Sequence, residues 1–265
     1  MKQRADQALL ARGMAESREK AQALILSGRV YISEVRVNKA SQQVSDDDAL
    51  ILRGDDNAYA SRGGYKLEKA MDVFGVVAED LVCMDVGAAT GGFTDVLLRA
   101  GARHVYAVDV GYGQLDWRLR RDKRVTAMER TNARLLTPEH FPEKPGLAVM
   151  DVSFISVRLI LPAIFAILGE KGRVVSLVKP QFEAGRGQVG KHGVVREKGT
   201  HIRVLEEIRD FCLSQRWAVV GLSFSPITGP KGNIEFLADI RPGAWEQLTD
   251  GDITTLVREA HQTLD

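Results

Sequence analysis

Apolar positions along the chain change their spacing near residue 60. Before it, Ala5, Leu9 and Leu10, then Ala21, Leu24 and Ile25, recur at helical intervals and predict two short helices. Gly28 ends the second, and short β-type runs follow at Arg29–Ile32 and Ala49–Leu52. Turn-formers then cluster in Gly54–Gly64, GDDNAYASRGG, which predicts a linker over 57–64 between a unit at 1–56 and a larger one at 65–265. Beyond it, Tyr65–Phe74 reads as a helix with Leu67, Ala70, Met71 and Phe74 on one side. Compact apolar runs at Leu81–Val86, His104–Val108, Leu147–Met150, Arg173–Val178, Ala218–Ser223 and Ile234–Ile240 read as strands. Between them Phe93–Ala100, Val157–Leu168 and His201–Ser214 read as helices. Alternating strands and helices predict an α/β fold: a parallel, Rossmann-like sheet with helices on both faces.

Composition narrows the class. At 265 residues with 45% apolar and 27% charged positions, the chain can bury a core of its own. Cys83 and Cys212 are the only cysteines and have no CxxC spacing, so neither a disulfide framework nor a cysteine metal site is expected. The first residues, MKQRADQALLARG, carry charge where a secretion signal needs an apolar stretch. The longest apolar run, Leu159–Leu168, contains Pro162 and is far short of the roughly 20 residues a membrane span requires. A soluble, cytoplasmic protein is expected; the oligomeric state stays open.

Net charge is only +1, so any basic face must come from local polarisation. Residues 1–40 hold eight Lys/Arg against four acids, and 41–60 hold one Arg against five Asp. Residues 118–134 hold seven Lys/Arg against Asp122 and Glu129. The glycine-rich 184–203 stretch holds five Lys/Arg against Glu197. Such basic faces suit a phosphate backbone, and Arg4, Arg18, Lys20, Arg29, Arg118, Arg186, Lys191 and Arg196, with Arg62 from the turn-rich linker, are the candidate contacts. Tyr65, Phe154 and Phe182 are candidate stacking surfaces for an unpaired base.

The strongest chemical signal is Met84-Asp-Val-Gly-Ala-Ala-Thr-Gly-Gly-Phe-Thr-Asp95, which follows a strand and opens a helix. It is not a P-loop, because Phe93 stands where the lysine would be. It is not the G-x-G-x-x-G fingerprint either, because position 89 is Ala. An acidic glycine turn without lysine suits a cationic sulfonium cofactor, S-adenosylmethionine, better than a polyphosphate. The loop residues Asp85, Gly87, Ala88, Ala89, Thr90, Gly91, Gly92 and Phe93 are the candidate cradle. Asp109 ends the next strand, where an adenosine ribose would be held. Val110, Asn132 and Asp151 complete the expected cofactor set, and no metal ligands are expected.

Taken together, Ser61-Arg-Gly-Gly-Tyr-Lys66, the glycine loop, Asp151-Val-Ser-Phe-Ile-Ser156, Val178-Lys-Pro-Gln-Phe-Glu183 and Gly232-Asn-Ile-Glu235 resemble the FtsJ-type RNA 2′-O-methyltransferases. More narrowly they resemble the TlyA family, named as haemolysins but acting on ribosomal RNA. Residues 1–53 are similar to an S4-type RNA-binding domain, so the resemblance covers nearly the whole chain. One departure is Ala89, where the family loop often has Ser. The resemblance implies a class I methyltransferase sheet behind a small α+β S4 domain, and a catalytic set of Lys66, Asp151, Lys179 and Glu235. It implies methyl transfer to a ribose 2′-hydroxyl, of a cytidine in large-subunit ribosomal RNA, with small-subunit RNA as a second target.

The chemistry asks for such residues. A ribose hydroxyl is a very weak acid, and an amine beside a second ammonium can take its proton or steady the alkoxide. On this reading Glu235 and Lys66 hold Lys179 in place and balance its charge, and Glu183 is structural support. Other acceptors lack their signatures. The Asp/Asn-Pro-Pro-aromatic stretch of amino-methyltransferases is replaced by Asp151-Val-Ser-Phe, and both cysteines sit in core positions rather than as nucleophiles. Two alternatives stand beside this reading. One is a membrane-acting haemolysin; the other is an RNA-binding assembly factor on an inactive methyltransferase fold.

Overall fold

The computed structural model describes residues 2–15, 17–26, 29–33, 35–46, 48–52, 59–190, 192–243, 246 and 248–264. Gly28 and Lys191 lie outside the described residues, as does the side chain of Arg186. The chain divides into two compact units, 1–58 and 59–265.

In the first unit, β1 (Lys2–Arg4) pairs antiparallel with β4 (Gln43–Ser45). β2 (Val30–Ile32) pairs antiparallel with both β3 (Val35–Arg36) and β5 (Leu50–Leu52). Helices α1 (Ala5–Ala11) and α2 (Arg18–Leu26) bury Ala5, Ala8, Leu9, Ala21 and Ile25 against Val30, Val37, Val44 and Leu50. Leu10, read from the sequence as part of the apolar face, is exposed.

The second unit is a seven-stranded sheet with the order β11-β12-β10-β9-β6-β7-β8. Its strands are β6 (Val82–Val86), β7 (His104–Val108), β8 (Val125–Met128), β9 (Leu147–Met150), β10 (Arg173–Val178), β11 (Trp217–Phe224) and β12 (Phe236–Pro242). β6 is buried at every position, as expected of a central strand covered on both faces. Alternate residues enter two separate cores. Met84, Val86, Tyr106 and Met150 face helices α6 (Leu161–Leu168), α8 (Lys198–Ser214) and α9 (Asp250–Leu264). Cys83, Val105, Leu147 and Val149 face α3 (Gly64–Phe74) and α4 (Gly92–Arg99). Two short helices, α5 (Trp117–Arg120) and α7 (Pro180–Glu183), follow β7 and β10.

Three features differ from the sequence expectation. The sheet is not wholly parallel, because β12 runs antiparallel to both β10 and β11. The connection from Phe224 to Phe236 carries no crossover helix, and only an antiparallel return is open to so short a link. β12 also begins at Phe236, so Ile234 and Glu235 precede it rather than sit within a strand. Finally, residues 59–63, expected in the linker, pack into the second unit. The Ala60 N–H donates to Asp95 Oδ2 at 2.8 Å, and the Tyr59 ring packs edge-on against Tyr65.

Candidate active site

The carboxyl ends of β6, β7, β9 and β10 share one edge of the sheet, the edge where α/β sheets bind ligands. The reversed direction of β12 puts its beginning at that same edge, with Phe236 opposite Val178. Lys179, Asp151 and Glu235 each lie one residue beyond a strand end there, and Lys66 reaches in from the first turn of α3. All four meet. Lys66 Nζ lies 2.6 Å from Glu235 Oε2 and 3.7 Å from Asp151 Oδ2, while Lys179 Nζ lies 2.5 Å from Asp151 Oδ1. Lys179 also donates to Ser153 Oγ at 2.9 Å. Asp151, rather than Glu235, is the direct partner of Lys179, and Glu235 acts on it only through Lys66. Two ammonium groups and two carboxylates balance, which is the condition for burying them. Glu235 is fully buried, and Lys66 and Lys179 nearly so.

These groups floor a cavity of about 530 Å³, within the usual size of a small-molecule site. The lining takes in the glycine loop with Ser61 and Gly63, then Ser153, Phe154, Gln181 and Phe182, and also Gly193, Lys231 and Asn233. Phe154 is 91% exposed and has φ +65°, a conformation that a bulky side chain rarely adopts. It rests 5.0 Å from the Phe182 ring. Tyr65, the third expected stacking residue, lines a separate depression with Lys69 and Ile227.

The glycines of the loop have no room for a side chain. A Cβ on Gly87 (φ +85°) would stand 2.5 Å from the Asp151 carbonyl oxygen, and one on Gly91 (φ +93°) 2.3 Å from Leu119 Cδ1. Ala89 adopts φ +47° without being glycine; its N–H donates to Asp109 Oδ2 at 2.8 Å, and the Gly111 N–H to Asp109 Oδ1 at 2.6 Å. Asp109 thus ties the tip of β7 to the loop. Behind the loop, Asp85 accepts from Thr94 Oγ1 at 2.7 Å while its Oδ1 is buried without a partner. Burial pushes the Asp85 carboxyl up to about 7, against the opposing Thr94 hydrogen bond. The bare backbone of residues 87–93, with no lysine among them and the Asp151 carboxylate in the same cavity lining, fits a cationic cofactor. Val110 is exposed and Asn132 caps the short helical turn at Ala133–Leu135. These two, with Asp109, Asp85 and Gly91, lie outside the cavity lining.

Glu183 has the supporting role expected of it, accepting from Ser156 Oγ at 2.6 Å and the Val157 N–H at 2.8 Å. Its carboxyl is raised by burial. Both thiols are buried and pushed up to about 12, which fits packing rather than nucleophilic attack. Lys231, Gln181 and Ser153 were not singled out from the sequence. Only their place in the fold reveals them, since each sits in a turn or a short helix with no periodic signal.

The basic candidates differ in their surroundings. Arg4 and Arg18 both hold the buried Asp6, at 2.9 and 3.0 Å, and keep its carboxyl far below the usual range; Arg4 contributes most. Arg118 pairs with Asp116 at 2.9 Å. Within 118–134, Arg120 and Arg124 likewise pair with Glu129 and Asp122. Arg62 and Arg196 are exposed with no ion pair among the described residues, Lys20 is exposed and Arg29 half-buried.

Known proteins match along the whole chain. Residues 59–241 match the family described as FtsJ-like methyltransferase, and residues 3–50 match the S4 domain. A Mycobacterium tuberculosis protein named 16S/23S rRNA (cytidine-2′-O)-methyltransferase TlyA is 44% identical over 90% of this chain and 89% of its own length. A Brachyspira hyodysenteriae protein named Hemolysin A is 43% identical over 89% of this chain and 98% of its own. A solved Streptococcus thermophilus structure, titled as a hemolysin, superposes with a TM-score of 0.79 at 46% identity, covering 99% of this chain and 96% of that one. Among the described residues, no helix is long and apolar enough to cross a membrane.

Proposed function

The chain belongs to the FtsJ-like methyltransferase family, with an S4 domain ahead of it, and from this we propose that it methylates the ribose 2′-oxygen of a cytidine in ribosomal RNA. The observation that carries the reading is the meeting of Lys66, Asp151, Lys179 and Glu235 beside the glycine loop, at one end of one cavity. Relatives named for transfer to cytidine in 16S and 23S RNA supply the acceptor. Ribosomal RNA as substrate would place the protein in the cytoplasm. The haemolytic name of other relatives has no counterpart in this site.

S-adenosylmethionine is the cofactor that the cradle fits, and it supplies an electrophilic methyl group on a cationic sulfur. Residues 87–93 would hold it close to the backbone, with Asp109 toward its ribose. Lys179, steadied by Asp151 and Ser153, gives up its own proton to solvent as the acceptor enters; its neutral amine then takes the hydroxyl proton while the methyl group transfers, and the ammonium that results is again balanced by Asp151. Lys66, locked to Glu235, keeps a second cation against Asp151 and holds that carboxylate in line. Transfer then depends chiefly on positioning. Phe154, displayed at the mouth against Phe182, offers a face for an unstacked base.

Methyl transfer from labelled cofactor to ribosomal RNA and to isolated subunits tests this. Wild type should give label in RNA that resists alkaline cleavage beside the modified nucleotide. Lys179→Ala should lose at least about a hundredfold in rate while still binding cofactor. Cofactor binding without transfer to any of these substrates would favour an assembly factor instead.

A further inference from the structure

Two turns that approach each other contribute to the cavity lining, each with a left-handed residue: Gly193 (φ +77°) and Lys231 (φ +63°). A Cβ on Gly193 would lie 3.9 Å from Lys231 Nζ. One turn belongs to the glycine-rich stretch after Lys179; the other leads directly into Glu235. Their junction is one side chain. Asn233 is 3% exposed; its Oδ1 accepts from the Val195 N–H at 3.1 Å and its Nδ2 donates to the Gly193 carbonyl at 3.0 Å. An amide is one of the few side chains that can serve a backbone donor and a backbone acceptor at once, and reversing it would break both bonds. The Asn233 carbonyl in turn accepts from the Gly229 N–H at 2.8 Å, and the 190–194 turn closes on itself through Gly190 N–H to Val194 O at 3.1 Å.

We propose that Asn233 is a positioning residue: it fastens the Gly190–Val195 turn to the segment carrying Glu235 and so fixes the wall against which the acceptor nucleotide is held. The assignment of that wall to the acceptor side rests on the function proposed above. A glycine-rich turn has little rigidity of its own. Fastened two residues from Glu235, it keeps a set distance from Lys179, and a substrate ribose meets one cavity shape rather than many. The two side-chain bonds of Asn233 given above run to Gly193 and Val195, outside the glycine loop, so its effect should fall on RNA and not on the cofactor.

The test uses the full-length chain with Asn233→Ala and the near-isosteric Asn233→Asp, which sets a carboxylate oxygen against the Gly193 carbonyl. Asn233→Asp, which loses the bond to Gly193, should raise KM for ribosomal RNA roughly tenfold, and Asn233→Ala, which loses both bonds, at least as much, with cofactor affinity by calorimetry within about twofold of wild type. A matching loss of cofactor affinity, a fall in kcat at unchanged KM, or wild-type kinetics in both variants would overturn the proposal. Amide hydrogen exchange separates it from the functional reading, since it needs no activity. The Val195 N–H should be protected in wild type and lose that protection in Asn233→Ala. Rapid Val195 exchange in wild type would overturn the clip even if methylation is found; slow exchange without methylation would sink the functional reading and leave the clip standing.

Discussion

Asp85 links stability to pH through its burial. Its carboxyl is raised to about 7 in the folded chain, whereas an unfolded Asp titrates near ~3.9. Between those values the folded state keeps a proton that the unfolded state has released, so stability falls as pH rises from about 4 to about 7 and then levels. The full effect is on the order of 4 kcal/mol. Melting temperatures at pH 5 and pH 7.5 should drop more for wild type than for Asp85→Asn; parallel curves would refute this. The Lys66–Glu235 pair makes a second prediction. Glu235→Ala strands a buried ammonium whose other carboxylate is 3.7 Å away, and should lower unfolding free energy by about 3 kcal/mol in denaturant titration. Removing Lys66 as well, as Lys66→Met with Glu235→Ala, should be milder than the sum of the single changes.

At the level of elements, the glycine loop is a backbone device. Gly87→Ala would drive a methyl group into the Asp151 carbonyl oxygen at a positive φ. Calorimetry should show cofactor binding lost or weakened by at least about tenfold, with a stability loss of about 1–3 kcal/mol. This loop, β6 and α4 are legible in the sequence because five buried residues lead straight into a glycine turn and an amphipathic helix. β8 is not, since Val125–Met128 is short and only partly buried in a charged stretch. α9 is hidden by its opening Asp-Gly-Asp and its threonines, although Ile253, Val257 and Ala260 are core residues at helical spacing. The direction of β12 is not carried by residue periodicity; only the short link after Phe224, too short for a crossover helix, could have shown it. The identity of the four charged residues could be read from motifs; that Asp151 rather than Glu235 contacts Lys179 could not, because it depends on that direction.

For the whole molecule, each unit has its own apolar core, 1–58 around Leu9, Ile25 and Val44 and 59–265 around the sheet. A chain starting at Tyr59 should therefore melt cooperatively and bind cofactor like the full protein, while losing much of the salt-dependent affinity for ribosomal RNA. Unchanged RNA affinity over a salt series would remove the first unit from substrate recruitment. The ion pair between Lys66 and Glu235 joins residues 169 positions apart, across almost all of the second unit. During synthesis the S4 region and the glycine loop emerge long before Glu235, and N-terminal segments fold first. On the proposed function, a nascent chain thus gains its means of gripping RNA before the cluster of Lys66, Asp151, Lys179 and Glu235 can close. On that reading, newly made protein should not methylate the ribosome that is making it until Glu235 and the strand after it have emerged.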